Sequence, residues 1–282
     1  MKQQVRNVTT MEKKSRSEME DVQNHKDHRE IPIDHVGITN IKWPIKVMDR
    51  QNFSQHTVAE FTMSVDLPKE FKGTHMSRFV TILSDFSNDI TAEKLPGIIR
   101  EMQKRLDATE AHLKVDFPYF IEKKAPISGV KSLMKYDCGF LITANGEDLD
   151  YILEVDVPVT SLCPCSKAVS DYGAHNQRGH IIIKVRPQKE DKDNFIHIWL
   201  EELFTLAESS SSAPIYPLLK RKDERFVTMQ AYDNPVFVED MVRNAAVKLR
   251  EDPRISWYEV SAFNDESIHD HKAFAVTTWT RE

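Results

Sequence analysis

The sequence predicts an α+β protein in which antiparallel sheets carry helices, laid out as two tandem halves. In "FTMSVDL", Phe61, Met63, Val65 and Leu67 alternate with polar residues, the period of a half-buried strand. From Leu95 the period lengthens: Leu95, Ile98, Ile99, Met102, Leu106, Thr109 and Leu113 recur at helical spacing with charges between them, which predicts an amphipathic helix lying on that sheet. The second half then runs through the same order of strands and helices.

Taken in order, residues 1–30 are dominated by charged and amide side chains, bury too little apolar surface to offset the entropy of ordering, and read as a mobile polar tail. Strand signals begin at "IDHVGITNIKWPIKVM" and continue through "FTMSVDL" to the helix predicted over "LPGIIREMQKRLDATEAHL". Two more strands follow at "LMKYDCGFLITANG" and "DYILEVDVPV", and the Asn-Gly pair ending the first suits a hairpin turn. In the second half "HIIIKVRP" reads as a strand and "FIHIWLEELFTLAESSSS" as a helix. "NPVFVEDMVRNAAVKLR" reads as a second helix, with Asn234 at its cap and Pro235 in its first turn. "ISWYEVSAF" and "KAFAVTTW" close the chain as strands on either side of "NDESIHDH".

Composition excludes several function classes. Lys+Arg 38 against Asp+Glu 44 leaves a net charge of −6, and no basic stripe is interleaved with aromatics, so no nucleic-acid partner is expected. Neither a secretory signal nor a membrane-length apolar run is visible, so the chain reads as cytoplasmic, without a membrane partner. Three cysteines, Cys138, Cys163 and Cys165, do not make a disulfide framework in such a chain, and a bridge inside Cys-Pro-Cys would close a strained ring.

The chemistry concentrates in "SLCPCSKAVSDYGAHNQRGH", where Cys163 and Cys165 flank Pro164 and His175 follows in the same stretch, beside Lys167 and Arg178. A closed structural zinc site would want a second Cys pair, which is missing. Three readings stay open on residue types alone: an open metal site completed by a histidine and a carboxylate, a cysteine nucleophile with a histidine base, or a plain thiol. Thiolate and imidazole suit zinc or iron(II), and a carboxylate ligand admits manganese. Cys138, in "KYDCGFL", reads as core packing. "NDESIHDH" brings Glu266, His269 and His271 together in one loop, either a solvated turn or a set of proton shuttles. Glu224 in "KRKDE" and Glu239 in the first turn of its helix each have an ordinary surface explanation too.

Together, "SLCPCSKAVSDYGAHNQRGH", "GTHMSRFV", "YPLLKRKDE", "NPVFVEDMVR" and "SIHDHKAFA" resemble the GTP cyclohydrolase IB family, folate-pathway enzymes of the tunnelling-fold superfamily, over roughly residues 32–280. The resemblance implies two tunnelling-fold modules, residues 31–160 and 161–282, that assemble through their sheets into barrels, as homotetramers in this family. It implies conversion of GTP to 7,8-dihydroneopterin triphosphate and formate, with one divalent ion per site, Zn, Mn or Fe(II). It makes Cys163, His175 and Glu224 the metal ligands, Cys163 thereby catalytic, and Glu239 the carboxylate that anchors guanine. For that reaction Glu266, His269 and His271 are the candidates for the proton transfers, and Arg178 and Lys167, with Arg78 and His75, are the candidate cations for the triphosphate in a chain of net negative charge, each with a structural ion pair as its alternative. Cys165 matches the motif without an assigned role. Fold alone would equally admit a related purine or pterin enzyme or a non-catalytic binder, and the thiols a redox sensor.

Overall fold

In the computed structural model, which describes residue 23, residues 25–86 and residues 90–282, the first half runs β1 (Ile33–Asp49), β2 (Phe53–Leu67), α1 (Met76–Asp85), α2 (Leu95–Leu106), β3 (Glu110–Lys124) and β4 (Lys131–Asn145). The second runs β5 (Asp148–Leu162), α3 (Pro164–Val169), β6 (Asn176–Pro187), α4 (Leu200–Glu208), β7 (Ala213–Pro214), α5 (Arg221–Asp233), α6 (Val238–Glu251), β8 (Ile255–Asp265) and β9 (Lys272–Thr280). Apart from the short elements, both halves follow two strands, helices, two strands. All the strands join one antiparallel sheet in the order β1-β2-β3-β4-β5-β6-β8-β9, with β7 on β5, and the division at residue 160 falls inside β5.

The helices cover one face of this sheet. Alternation along each strand puts Phe61, Met63, Leu113, Val115, Phe140, Val155, Ile183 and Val260 under them in one continuous apolar core. The opposite face carries the other half of the alternation. One cross-strand row there reads Lys42, Glu60, Asp116, Gly139, Glu154, Lys184 and Glu259 across seven strands, a charged surface that no described helix covers. At the Asn145–Asp148 hairpin, Gly146 sits at φ +54, where a residue with a Cβ would be strained.

Several boundaries differ from the sequence expectation. The helix predicted to run through Thr109 and Leu113 stops at Leu106, because Asp107 turns left-handed at φ 53. Ala111, Leu113, Val115, Phe117 and Tyr119 then alternate into the core as β3, so Leu113 was on the helical count only by coincidence of spacing. Helix α4 starts at Leu200 rather than Phe195; the preceding residues are extended, and Phe195 stacks on Tyr151 at 5.2 Å. Ser210, Ser211 and Ser212 beyond it are buried, their hydroxyls bonded to backbone groups. Asn234 does not begin α6 but ends α5, a helix the sequence reading lacked along with α1; α6 starts at Val238, with Asp240 accepting from the Phe237 amide. The tail assigned to residues 1–30 lies mostly outside the described residues, although Lys26 already pairs with Phe71 in an isolated bridge.

Candidate active site

Cys163 ends β5 and begins α3. Pro164 takes the first helical position, where its missing N–H costs nothing, and Cys163 Sγ accepts the Ser166 amide at 3.4 Å as the cap. The loop then returns to β6, where the His175 carbonyl accepts the Cys163 amide at 3.1 Å and Ser166 Oγ accepts the His175 amide at 3.2 Å. Cys163 and His175 are therefore clasped around Ser166 at one end of the β5–β6 pair.

The orientation of His175 comes from a residue the sequence reading passed over. Gln177 is buried, its Oε1 lies 2.6 Å from His175 Nδ1, and its Nε2 donates to Glu266 Oε1 at 3.1 Å. An ionised carboxylate only accepts, so the amide nitrogen faces Glu266 and the amide oxygen faces the imidazole. His175 Nδ1 is then the protonated nitrogen, and Nε2 carries the lone pair a ligand or base needs. Ser267 Oγ stands 3.4 Å from the same Nδ1.

Among the described residues, no three His, Cys, Asp or Glu side chains are grouped to hold a metal ion. Glu224 is exposed on α5. Its neighbour Asp223 fixes that helix: fully buried, it accepts from the Ile127 and Ser128 amides at 2.8 and 2.7 Å, from Ser128 Oγ at 2.6 Å and from the Lys220 amide at 2.9 Å. Burial alone would raise its pKa; these donors outweigh that and hold the carboxyl well below the usual carboxylate range.

The other predicted residues are spread more widely. Glu239 is exposed one residue into α6, in an open groove it lines with Arg243, Val247, Arg250 and Val276. His269 and His271 are exposed and stack at 4.9 Å, so the two rings do point the same way. Arg178 is exposed on the uncovered sheet face, three residues from His175. Lys167 is already engaged, donating to the Tyr232 carbonyl and lying 4.2 Å over its ring. Arg78 donates to the Arg105 carbonyl at 2.9 Å at the start of α1, with His75 at the cap. Cys165 is exposed, whereas Cys138 is buried in β4, where burial pushes its thiol up. No described helix is long and apolar enough to cross a membrane.

The chain is similar in fold to uricase from Arthrobacter globiformis (TM-score 0.51, 9% identity, covering 88% of this chain and 94% of that one). It is likewise similar to a urate oxidase mutant of Bacillus sp. TB-90 (TM-score 0.51, 8% identity, covering 88% and 100%). At such identity the likeness speaks for the fold alone, and that fold is the tunnelling fold. In sequence, the chain is 51% identical over 257 residues to GTP cyclohydrolase FolE2 of Kosmotoga olearia, covering 91% of this chain and 97% of the relative. It is 52% identical over 258 residues to GTP cyclohydrolase FolE2 of Geobacter sulfurreducens, covering 92% and 97%. The family model of type I GTP cyclohydrolase FolE2 matches residues 19–275, and the chain belongs to that family.

Proposed function

We propose that this protein is a metal-dependent GTP cyclohydrolase of the IB type, which converts GTP and water to 7,8-dihydroneopterin 3'-triphosphate and formate as the first step of tetrahydrofolate biosynthesis. Family membership over most of the chain supports the reaction. The observation that carries the site is the bridge of Gln177 between His175 and Glu266, which leaves His175 Nε2 ready to ligate.

Cys163, His175 and Glu224 would hold one divalent ion, Zn, Mn or Fe(II). The donor chemistry fits: Cys163 Sγ already acts as an acceptor and His175 has its lone pair on Nε2, while the exposed Glu224 is the member not yet gathered. Such an ion, when bound, lowers the pKa of a water it carries toward neutrality.

The rest is work for this chain's own side chains. An ionised Glu239 accepts both the ring N–H and the 2-amino hydrogens of guanine, a pattern adenine cannot offer. Glu266, His269 and His271 move protons during ring opening and reclosure. Arg178 holds the triphosphate, with Lys167 joining once it leaves the Tyr232 carbonyl, and with Arg78 and His75 brought in by a neighbouring subunit. In the cytoplasm the protein forms a homotetramer in which the open edges β1 and β9 pair between subunits and close the sheets into barrels.

Formate release tests the reaction. Purified protein should form formate and a pterin in equal amounts from GTP, and chelation of the metal should stop both. Absence of formate would overturn the reaction; undiminished formate in metal-free protein would overturn the metal.

A further inference from the structure

Three segments of the candidate site are tied together beneath the surface. Asn264, only 2% exposed, donates from Nδ2 to Ser161 Oγ at 3.1 Å. Ser161, fully buried, donates to the Val236 carbonyl at 3.3 Å. The Val236 amide returns to the Leu162 carbonyl at 3.2 Å, and the Leu162 amide donates to Ser212 Oγ at 3.0 Å. Ser161 and Leu162 immediately precede Cys163, Val236 lies three residues before Glu239, and Asn264 lies two before Glu266.

The placement of Asn264 is tight. It pairs across strands with Gly179, where a Cβ would come within 2.6 Å of Asn264 Oδ1. That oxygen is buried with no partner among the described residues, so the side chain carries a cost in unmet hydrogen bonding. The bond it does make serves Ser161, and through Ser161 the start of α6. Helix α6 is held by apolar contacts of Val238, Met241, Val242, Ala245 and Leu249, and its middle and end are tied by hydrogen bonds from Asn244 and Lys248 to Ser209 and Ser210 and from Arg250 to Tyr258, none of which reaches its first turn. The hydrogen bonds at Val236 tie the segment that leads into its first turn, where Glu239 sits.

We propose that Asn264 and Ser161 are positioning residues for guanine recognition. They lock the α6 start, and with it Glu239, to the strand end that carries Cys163, and so set the discrimination between guanine and a base lacking its 2-amino group. The inference rests on the reading of Glu239 as the guanine anchor. Accepting two hydrogen bonds at once requires both carboxylate oxygens in place, so a small slip of the helix start forfeits one of them first.

The test is the ratio of kcat/KM for GTP to that for inosine triphosphate, which lacks the 2-amino group. The ratio is independent of the fraction of folded enzyme, so a merely structural role would not move it. Asn264→Ala and Ser161→Ala should each lower the ratio about fivefold, chiefly through KM for GTP. Combining Asn264→Ala with Glu239→Gln should lower it no further than Glu239→Gln alone. If Glu239→Gln leaves the ratio at the wild-type value, the anchor reading fails and takes the inference with it. If Glu239→Gln collapses the ratio while Asn264→Ala and Ser161→Ala leave it intact, only the positioning role is overturned. Should Asn264→Ala not fold, Ser161→Ala, which removes a single oxygen, decides alone.

Discussion

Gln177 stands between His175 and Glu266, with its Oε1 2.6 Å from the imidazole Nδ1 and its Nε2 3.1 Å from the carboxylate. A single neutral amide thereby sets the tautomer of one site residue and orients another. Gln177→Leu keeps the bulk and removes both bonds. Metal affinity should fall about 10- to 100-fold, as it does when the outer partner of a ligating histidine is lost. Titration of metal-free protein with Zn²⁺ checks this; unchanged affinity would show that Gln177 does not support His175 as a ligand.

The three cysteines separate cleanly by environment. Cys163→Ala should abolish bound metal and turnover, whereas the buried Cys138, replaced by alanine, should keep both apart from a modest loss of stability. Elemental analysis of the two variants decides it. Full occupancy in the Cys163 variant would reject that ligand.

Asp223 binds the Ile127–Ser128 backbone of the first half to α5 of the second, one residue from Glu224. Asp223→Ala removes the acceptor of the Ile127, Ser128 and Lys220 amides and should lower the melting temperature and weaken metal binding together, because α5 loses its tether. A variant that melts early yet binds metal with wild-type affinity would show that α5 is held by other contacts.

On the uncovered sheet face, Asp156 Oδ1 lies 2.8 Å from His180 Nδ1 and raises the histidine pKa, against the opposing effect of burial. The raised value means the pair stabilises the fold fully below the unfolded histidine pKa of about 6.5 and loses that contribution as pH rises through the folded value. Asp156→Asn should move the His180 titration to lower pH and flatten the pH dependence of stability above the unfolded histidine pKa of about 6.5. NMR titration of the ring protons checks the direction; an unmoved midpoint would discount the pair.

If each site draws on two subunits, Cys163→Ala and Glu239→Gln proteins, each defective alone, should regain activity when their subunits exchange. One site of a hybrid interface would then hold neither defect, limiting recovery to about a quarter of wild-type sites under random pairing. Hybrids demonstrated by native mass spectrometry but lacking activity would place both residues in one chain.

Local periodicity carried much of this protein. Strand alternation at Phe61–Leu67, the apolar stripe of α2 and the turn at Gly146 are properties of neighbouring residues, and side-chain periods of two and 3.6 are legible in any window that long. Cys163, His175 and Glu266 stood out as candidates by chemical type. What tertiary structure alone decided were the competitions and the partners. Leu113 fits a helical count from Leu106, and only the pairing of β3 with β2 and β4 makes it a strand residue. Asn234 has the chemistry of a helix start, yet it closes α5, its backbone N–H donating to the Gln230 carbonyl and its side-chain Nδ2 to the Ser211 carbonyl. Gln177 and Glu266 are 89 positions apart, and Ser161 and Asn264 are 103 apart. Glutamine, serine and asparagine are unremarkable in a sequence; the sheet brings strand ends together and buries them, and burial makes their hydrogen bonds decisive.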